Sequence, residues 1–506
     1  MSINLLSTEI LKEIFENIII SDTRSCNSMS NLRPCISVSR HWCKTAIPIL
    51  WRTPIYPGEY SPEKTTKLLA RSYLLCLPKD KRNYIKNEGI FFPPAPRKKK
   101  PLFDYPAFLR ILDFDRISEM AKFWIIHRRT LPKPKVYYMD ILKETFCELF
   151  MERAEMIHFI NHSGNIKVPI FDNKSPNLQK LRKIQFVERD DDITFIENII
   201  NVANNLQHII AQFRNTSSSL YSCKALANLI ENQNSLQHLG IFGYNQNIST
   251  IIQSIKIQKN SLIKLELCNI DFQYFNNNSF DSLSLCNNLR SFEITNCKRT
   301  NDTCLKTWKN MFPKLQKFKF NNNVFYDISF PTNFIGKIIE SANNNLLYIK
   351  INSTSPPQEN RSKIANIIAE NCKNLQHLSF ITLLNSEIFS ILDSCQNLKE
   401  LKFFTENKFN DNIFSEMAKH LPPKLQYWDL SIEVNNYYPS EEAVELFIEN
   451  IITKNFSLKV FHFTSLYFGD PYLECTVKRL LEQKGIMTSF TDANIEPFCS
   501  NYFDTM

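Results

Sequence analysis

The sequence predicts an α/β solenoid, with a parallel sheet on its concave side and helices on its outer side, preceded by a small all-α module. Three observations favour this fold class. A short apolar pattern recurs through most of the chain, helical spacing fills the intervals between its copies, and the first fifty residues carry a purely helical pattern. Because parallel strands need crossover connections of a dozen residues or more, the alternating patterns predict a parallel sheet with helical connections.

The recurring pattern is L-x-x-L-x-L, in which other apolar residues replace the later leucines. Its last two apolar positions are two residues apart, so both side chains leave the same face of a short strand. Burying each one contributes about 1.5–3 kcal/mol, but only where a neighbouring copy covers it, so the copies must stack. The first leucines of the eleven copies lie 23 to 33 residues apart: Leu181, Leu206, Leu236, Leu262, Leu289, Leu315, Leu346, Leu375, Leu398, Leu425 and Leu458.

The intervals between copies carry helical signals. Residues 362–372 and 386–395 space their apolar side chains as one face of a helix does. Ser440 is followed by two glutamates, which is typical of an N-cap and an acidic first turn. Each interval is therefore expected to form one outer helix.

The ends of the repeat array are less regular. Leu109–Phe114 fits as an irregular first repeat, and residues 139–161 predict a helix followed by a poor strand around Met156–Phe159. At the far end we expect a closing helix over Leu473–Gln483, stopped by Gly485, and a last strand at Ile486–Phe490. The predicted solenoid covers 105–490, with 11 to 13 repeats, and a C-terminal tail covers 491–506.

The N-terminal residues 1–52 predict a helical docking module. Apolar residues recur at helical spacing from Leu6 to Phe15, Ser7 is placed to cap that helix, and a second apolar cluster runs from Val38 to Trp51. Two such short helices cannot bury all these side chains by themselves. A following domain or a partner must therefore cover part of their surface.

Residues 53–104 are rich in proline and contain the basic run Arg97–Lys100. We interpret this segment as a linker and the basic run as a solvated loop. A nuclear-import or anionic-surface role is the alternative for the basic run.

Composition excludes several function classes. The 506 residues are 43% apolar and 22% charged, which is typical of a globular chain. Only 8 are glycine, and neither G-x-G-x-x-G nor G-x-x-x-x-G-K-[ST] occurs, so no common nucleotide cradle is predicted. The net charge of +9 is small for this length, and we expect no nucleic-acid partner.

The cysteines and the N-terminus favour an intracellular location. None of the 14 cysteines forms a C-x-x-C pair, so neither a zinc ribbon nor a redox site is expected. The N-terminus carries charge from Glu9 onward, unlike a secretory signal, and no apolar run reaches the length of a spanning helix. We expect reduced thiols, a cytoplasmic or nuclear location, no membrane partner and no cofactor.

The repeats resemble the leucine-rich-repeat family, and specifically its cysteine-containing subtype. In that subtype a cysteine stands three residues before the first leucine, as Cys286, Cys372 and Cys395 do here. A second cysteine follows the strand, near the places of Cys268 and Cys297. We interpret these cysteines as small buried fillers of the solenoid interior.

The N-terminal module resembles an F-box, whose pattern is Leu-Pro-x-Glu-Ile-Leu, then Val-[Cys/Ser]-[Lys/Arg]-x-Trp, then Leu-Trp. The one departure is Ser7, where the family usually has proline. The resemblance implies docking onto the Skp-type adaptor of an SCF (Skp–cullin–F-box) ubiquitin ligase, and through it a cullin–RING ligase, while the repeats capture an unknown protein substrate. The adaptor contacts it implies are Leu6, Glu9, Ile10, Leu11, Ile14, Val38, Trp42, Leu50 and Trp51.

The x residues of the repeat pattern are expected to line the concave face, the usual ligand surface of a solenoid. A basic patch with aromatic neighbours there would suit an acidic or phosphorylated substrate segment. The alternative is a solvated wall of mixed sign, because Glu266 and Glu293 adjoin the patch. The predicted substrate-binding residues are Lys317, Lys319, Tyr348, Lys350, His377, Lys402 and Tyr427.

Catalytic signals are weak, and we expect a non-enzymatic receptor with no catalytic or metal-binding residue. His158 and His162 have the spacing of a helical metal pair but lack the glutamate of H-E-x-x-H and stand in a strand-like segment. Asp190–Asp192 lacks the pattern of an oxygen-ligand loop. Two alternatives remain: a repeat scaffold whose F-box no longer binds the adaptor, and a metal-assisted hydrolase that uses the two histidines.

Overall fold

The computed structural model describes seventeen stretches of the chain, which form two compact units, Met1–Leu236 and Gln237–Met506. The described residues are 6–20, 31–53, 63–92, 101–126, 131–162, 176–188, 193–213, 220–243, 248–300, 312–322, 330–353, 358–382, 385–405, 410–432, 440–453, 458–465, and 478–492 without 480 and 484.

The first unit begins with helices and continues into a parallel sheet. Its four described strands pair in chain order. The helices are α1 (Thr8–Ile20), α2 (Arg40–Leu50), α3 (Glu63–Cys76), α4 (Lys79–Asn87), α5 (Phe114–Ile125), α6 (Lys135–Arg153), α7 (Ile193–Val202) and α8 (Leu220–Glu231). The strands are β1 (Ile111–Asp113), β2 (Phe159–His162), β3 (Lys183–Glu188) and β4 (His208–Phe213).

The second unit is a regular succession of strands and helices, and its strands also pair in parallel and in chain order. The strands are β5 (His238–Phe242), β6 (Lys264–Cys268), β7 (Ser291–Thr295), β8 (Lys317–Asn322), β9 (Tyr348–Ser353), β10 (His377–Thr382), β11 (Glu400–Thr405), β12 (Tyr427–Ile432), β13 (Val460–Ser465) and β14 (Met487–Asp492). The helices are α9 (Ser249–Ser254), α10 (Asn277–Ser284), α11 (Thr332–Ala342), α12 (Gln358–Asn371), α13 (Asn385–Ser394), α14 (Asp411–His420) and α15 (Glu441–Thr453).

The apolar positions of the L-x-x-L-x-L pattern form the core. All eleven first leucines are buried, each with at most 7% of its surface exposed. Along a strand such as β8, Phe318 and Phe320 are buried while Lys317, Lys319 and Asn321 are half-buried, so alternate side chains leave opposite faces. The helices that connect the strands pack against their neighbours, as α11, α12 and α13 do. The predicted leucine-rich-repeat solenoid, an α/β fold, is confirmed.

Four of the five cysteines assigned to the interior occupy it, but Cys268 is half-buried, because it stands at an outward position of β6. Cys286, Cys297, Cys372 and Cys395 are buried, and every described cysteine is a free thiol. The Cys395 thiol donates to the carbonyl oxygen of Cys372 in the preceding repeat, 3.4 Å away. Burial raises the pKa of Cys395 to about 12, so this thiol stays protonated at neutral pH.

The interpretation of 53–104 as a linker missed two helices. Residues 63–87 form α3 and α4, and Tyr73 and Leu74 of α3 are buried. Proline marks a helix start here, since Pro78 is the N-cap of α4. The basic run Arg97–Lys100 lies outside the described residues.

The two ends of the array differ in detail from the expectation. The poor strand predicted around Met156–Phe159 forms three residues later, as β2, and the last strand extends to Asp492. Gly485 has φ +74°, a conformation that glycine adopts without strain, as expected of a helix stop. Of the predicted closing helix, the described residues 478–479 and 481–483 are helical.

A ladder of asparagine hydrogen bonds links consecutive repeats just before the first leucine. Each asparagine amide donates to a main-chain carbonyl oxygen of the preceding repeat. The bonds run from Asn288 to Asn260 (2.8 Å), Asn345 to Pro313 (2.9 Å), Asn374 to Asn344 (3.1 Å) and Asn397 to Lys373 (3.2 Å). The abundance of asparagine therefore has a structural role that the apolar pattern does not reveal.

We expect Asn288→Ala to lower the free energy of unfolding by about 1 kcal/mol, because the side chain also accepts a hydrogen bond from Lys314 and so joins three repeats. Urea unfolding measures the change. The control is Asn287→Ala, an exposed neighbour. Equal effects of the two substitutions would contradict a role for the ladder.

Candidate functional site

The N-terminal module is a packed pair of helices. Leu11, Phe15, Leu32, Ala46 and Ile49 form its core. Both helices begin with a serine cap, as predicted for Ser7, which accepts a hydrogen bond from the backbone N–H of Ile10 at 3.3 Å. The hydroxyl of Ser39 accepts from the N–H of Trp42 at 3.2 Å. The departure from the F-box pattern at Ser7 therefore leaves the start of α1 capped.

Four of the predicted adaptor contacts are exposed. Ile10, Ile14 and Val38 keep 48%, 39% and 53% of their surface in solvent, and Glu9, which directly precedes Ile10, is also exposed. We call these four residues the docking face. Large apolar side chains with this much exposure are candidates for burial by a partner.

Four of the other predicted contacts serve the module itself. Leu11 has no exposed surface, so its assignment as an adaptor contact is corrected to a core position. The ring of Trp42 packs edge-on against Phe15, with centroids 5.3 Å apart. Leu6 and Leu50 are half-buried against the same core.

Trp51 belongs to a junction between the module and the rest of the first unit. Its ring contacts Tyr73 of α3 at 5.4 Å and Tyr105 at 4.1 Å between centroids. The next residue, Arg52, accepts a hydrogen bond from the backbone N–H of Arg110 at 3.0 Å and forms an ion pair with Glu16 at 3.0 Å. These contacts attach the module to the residue that precedes β1, so Trp51 is a junction residue.

The x residues of the second unit form two rows across the sheet, on the side opposite the buried positions. We call this surface the open sheet face. Paired positions place the predicted substrate-binding residues side by side, with Tyr348 between Lys317 and His377, and Lys350 next to Lys319. These five predicted residues are therefore neighbours on the sheet.

Basic side chains on the open sheet face form ion pairs with neighbouring carboxylates. Lys264 contacts Glu266 at 2.6 Å and Glu293 at 3.6 Å, and Glu266 also contacts His238 at 2.8 Å. Burial opposes ionisation of Glu266, but hydrogen bonds from His238 and Lys264 outweigh it and lower its pKa to about 2. This part of the face therefore carries charges of both signs, which agrees with the alternative interpretation of the sequence.

Two predicted substrate contacts are held by acidic neighbours. Lys402 pairs with Asp429 at 2.7 Å, and only 1% of the Asp429 side chain is exposed. His377 contacts Glu400 at 2.9 Å. The pairing of Lys402 follows from the register of the repeats, because Lys402 and Asp429 occupy paired positions on adjacent strands.

The histidine pair does not form a helical metal site. His162 lies on β2 with its ring buried between Phe114 and Phe195, whose centroids lie 5.1 and 4.7 Å away. His158 precedes the strand and is exposed. Among the described residues, no group of three or more His, Cys, Asp or Glu side chains has a metal-binding arrangement. Asp190–Asp192 lies outside them.

No protein-family model matches this chain, and no curated protein does. Among solved structures, the chain resembles one from the complex of Rad7 and Elc1 in yeast, with 12% identity over 56% of this chain and 76% of that one, at a TM-score of 0.34. It also resembles the leucine-rich-repeat protein LegL7 from Legionella pneumophila, with 9% identity over 61% and 93% of the two chains, at 0.32. Similarity at this level carries no functional information.

We expect Glu266→Gln to change the pH dependence of stability. Because the folded-state pKa of Glu266 lies below its usual value of 4.5, its ionisation stabilises the fold above that pH, and this contribution is lost as pH falls toward 2. The stability difference between wild type and the variant should therefore shrink across this window in urea titrations. Glu340→Gln, at an exposed position on α11, is the control, and an identical pH profile for both variants would contradict the account.

Proposed function

We propose that this protein is the substrate-recognition subunit of an SCF ubiquitin ligase. The docking face binds the Skp-type adaptor, and the open sheet face captures a protein substrate. The observation that carries the proposal is the exposure of Ile10, Ile14 and Val38 on a module with a packed core. Burying them against an adaptor would contribute about 1.5–3 kcal/mol for each fully covered side chain.

The junction supports this division of roles. A receptor must hold its substrate at a defined position relative to the ligase. The docking surface and the capture surface therefore need a rigid connection. Here Trp51 packs against two tyrosines, and a backbone hydrogen bond joins Arg52 to Arg110 at the start of the repeats. The docking module is thereby fixed to the beginning of the solenoid in the first unit.

In this proposal the chain catalyses no reaction itself and holds the substrate near the partners that do. The histidine alternative is disfavoured because the His162 ring is enclosed by phenylalanines, where a substrate and a metal-bound water could not reach it. No described helix is long and apolar enough to span a membrane. A cytoplasmic or nuclear location stays a prediction.

The competing proposal is a repeat scaffold with a degenerate F-box. Its supporting feature is Ser7, which replaces the proline that would set the entry into α1. The capping hydrogen bond to Ile10 weighs against it, because the helix start is satisfied without proline.

Co-expression with a Skp-type adaptor tests the proposal. We expect stoichiometric co-purification with wild type and at least a tenfold loss with Val38→Asp or Ile14→Asp, because each places a carboxylate in a surface that must be dehydrated. Trp42 is unsuitable for this test, since its substitution would also open the module core.

Leu68→Asp is the matched control, because Leu68 is also a large apolar residue, 54% exposed, on α3. It should leave the adaptor yield unchanged. A folded wild-type chain that retains no adaptor would leave only the scaffold alternative.

A further inference from the structure

The positive charge of this chain is concentrated in one segment. Residues 79–135 contain 15 lysines and arginines against 6 aspartates and glutamates, so their surplus of nine equals that of the whole chain. Six of the 15 lie in 93–100 and 127–130, outside the described residues. The expectation of no nucleic-acid partner rests on the charge averaged over 506 residues, whereas a polyanion responds to the local density of charge.

Contacts in the first unit bring the ends of α4 and α5 and the start of α6 together. The indole N–H of Trp124 on α5 donates to the carbonyl oxygen of Phe91, which follows α4, at 3.0 Å. The hydroxyl of Tyr137 on α6 donates to Glu88, which also follows α4, at 2.8 Å. These three parts of the charged segment therefore form one surface.

Lysine ammonium groups lie beside aromatic rings on this surface. The distances from ammonium nitrogen to ring centre are 5.3 Å for Lys86 and Phe92, 5.9 Å for Lys122 and Phe123, and 3.8 Å for Lys133 and Tyr137. We call these three pairs, together with Phe91 and Lys135, the lysine–aromatic surface. Its cations and rings alternate, as a chain of phosphates and bases requires.

Three lysines of the surface have no carboxylate partner among the described residues. Lys86 and Lys122 are exposed and contact rings, and Lys135 donates to the carbonyl oxygen of Ile126 at 2.8 Å. Only Lys133 pairs with a carboxylate here, that of Glu88 at 3.6 Å. Positive charge is therefore available to a ligand.

Two rings of the surface are supported from within the fold and still reach solvent. Phe91 stacks on Trp124, with centroids 6.3 Å apart, and keeps 46% of its surface exposed. Tyr137 contacts the ring of Tyr138 edge-on at 5.4 Å and is 37% exposed. Such rings can stack with unpaired bases, whereas the bases of a duplex already stack on each other.

An acidic groove between α4 and α6 borders the surface on one side. Tyr84 lines this groove and lies one helical turn before Glu88. A flexible strand can follow the lysines and avoid the groove, whereas a flat sheet of anionic lipid would meet both. The other charged groups that line the groove are Asp80, Lys81, Glu144 and Glu148.

We propose that the lysine–aromatic surface binds single-stranded nucleic acid, either RNA or DNA. Bases stack on Phe91 and Tyr137, while Lys86, Lys122 and Lys135 pair with phosphates. This binding function goes beyond the proposed ligase role and does not depend on it.

Fluorescence anisotropy of labelled oligonucleotides with the purified full chain tests the proposal. The probes are a uridine and a thymidine strand of about twelve nucleotides and a duplex of the same length. We expect at least one single strand to bind about tenfold more tightly than the duplex. Its affinity should fall about tenfold or more between about 50 and 200 mM salt, because about three phosphates are neutralised. Comparing the two strands separates an RNA site from a DNA site.

Charge reversal localises the phosphate contacts. The double variant Lys86→Glu, Lys122→Glu should lower the affinity for the single strand about tenfold or more and flatten its salt dependence. Both side chains are exposed and form no ion pair among the described residues, so we expect the fold to survive. The control reverses Lys256 and Lys337, which are exposed in the second unit, and changes the net charge equally.

Loss of one ring separates stacking from charge. Phe91→Leu keeps an apolar side chain but removes the ring, so it should lower affinity about fivefold or more and leave the salt dependence unchanged. Tyr274→Leu, at an aromatic residue of the second unit that is 38% exposed, is the control. If Phe91→Leu loses its circular dichroism signal, Tyr137→Leu replaces it with the same expected result.

Several outcomes would overturn the inference: no binding of either strand, equal binding of strand and duplex, or full binding by the lysine variant. Tighter binding to phosphatidylserine vesicles than to both strands would also overturn it, in favour of a membrane contact through Ile126 and Val136, which are 38% and 60% exposed. Adaptor co-purification should be unchanged in the lysine variant, so this proposal and the ligase role can fail separately.

Discussion

One repeat of this chain cannot bury its own apolar face, and the rest of the structure follows from that constraint. The two inward side chains of each strand need the neighbouring strand and the connecting helix to exclude water. Parallel pairing in chain order satisfies this need at every step within each unit. Stability is therefore a sum of local repeat interfaces, to which the asparagine ladder adds one hydrogen bond at a time.

The same constraint organises the surface. Stacking in register brings equivalent positions of successive repeats into rows, so a residue's place in the pattern determines its neighbours. Lys319 and Lys350 are 31 residues apart in sequence but occupy paired positions. Opposite charges in such rows neutralise each other, as Lys402 and Asp429 do.

Strand positions and buried leucines were predictable from the sequence, because a two-residue alternation after a fixed leucine depends only on neighbouring repeats of the same kind. The helices α3 and α4 were not, since proline signals both linkers and helix starts. Periodicity likewise could not separate Leu11 from Ile10, because both lie on the apolar side of α1 and only the position of α2 decides which one is buried. Side-chain pairings such as Glu266 with His238 depend on rotamers that no spacing encodes.

The docking proposal requires that an adaptor cover Ile10, Ile14 and Val38 while Trp51 holds the N-terminal module at the start of the repeats. Hydrogen–deuterium exchange of the full chain, with and without a Skp-type adaptor, tests it most directly. We expect slower exchange confined to the first turns of α1 and to residues 34–38, with unchanged exchange in the strands of the second unit. Unchanged exchange in the module, or protection only in the repeats, would contradict it.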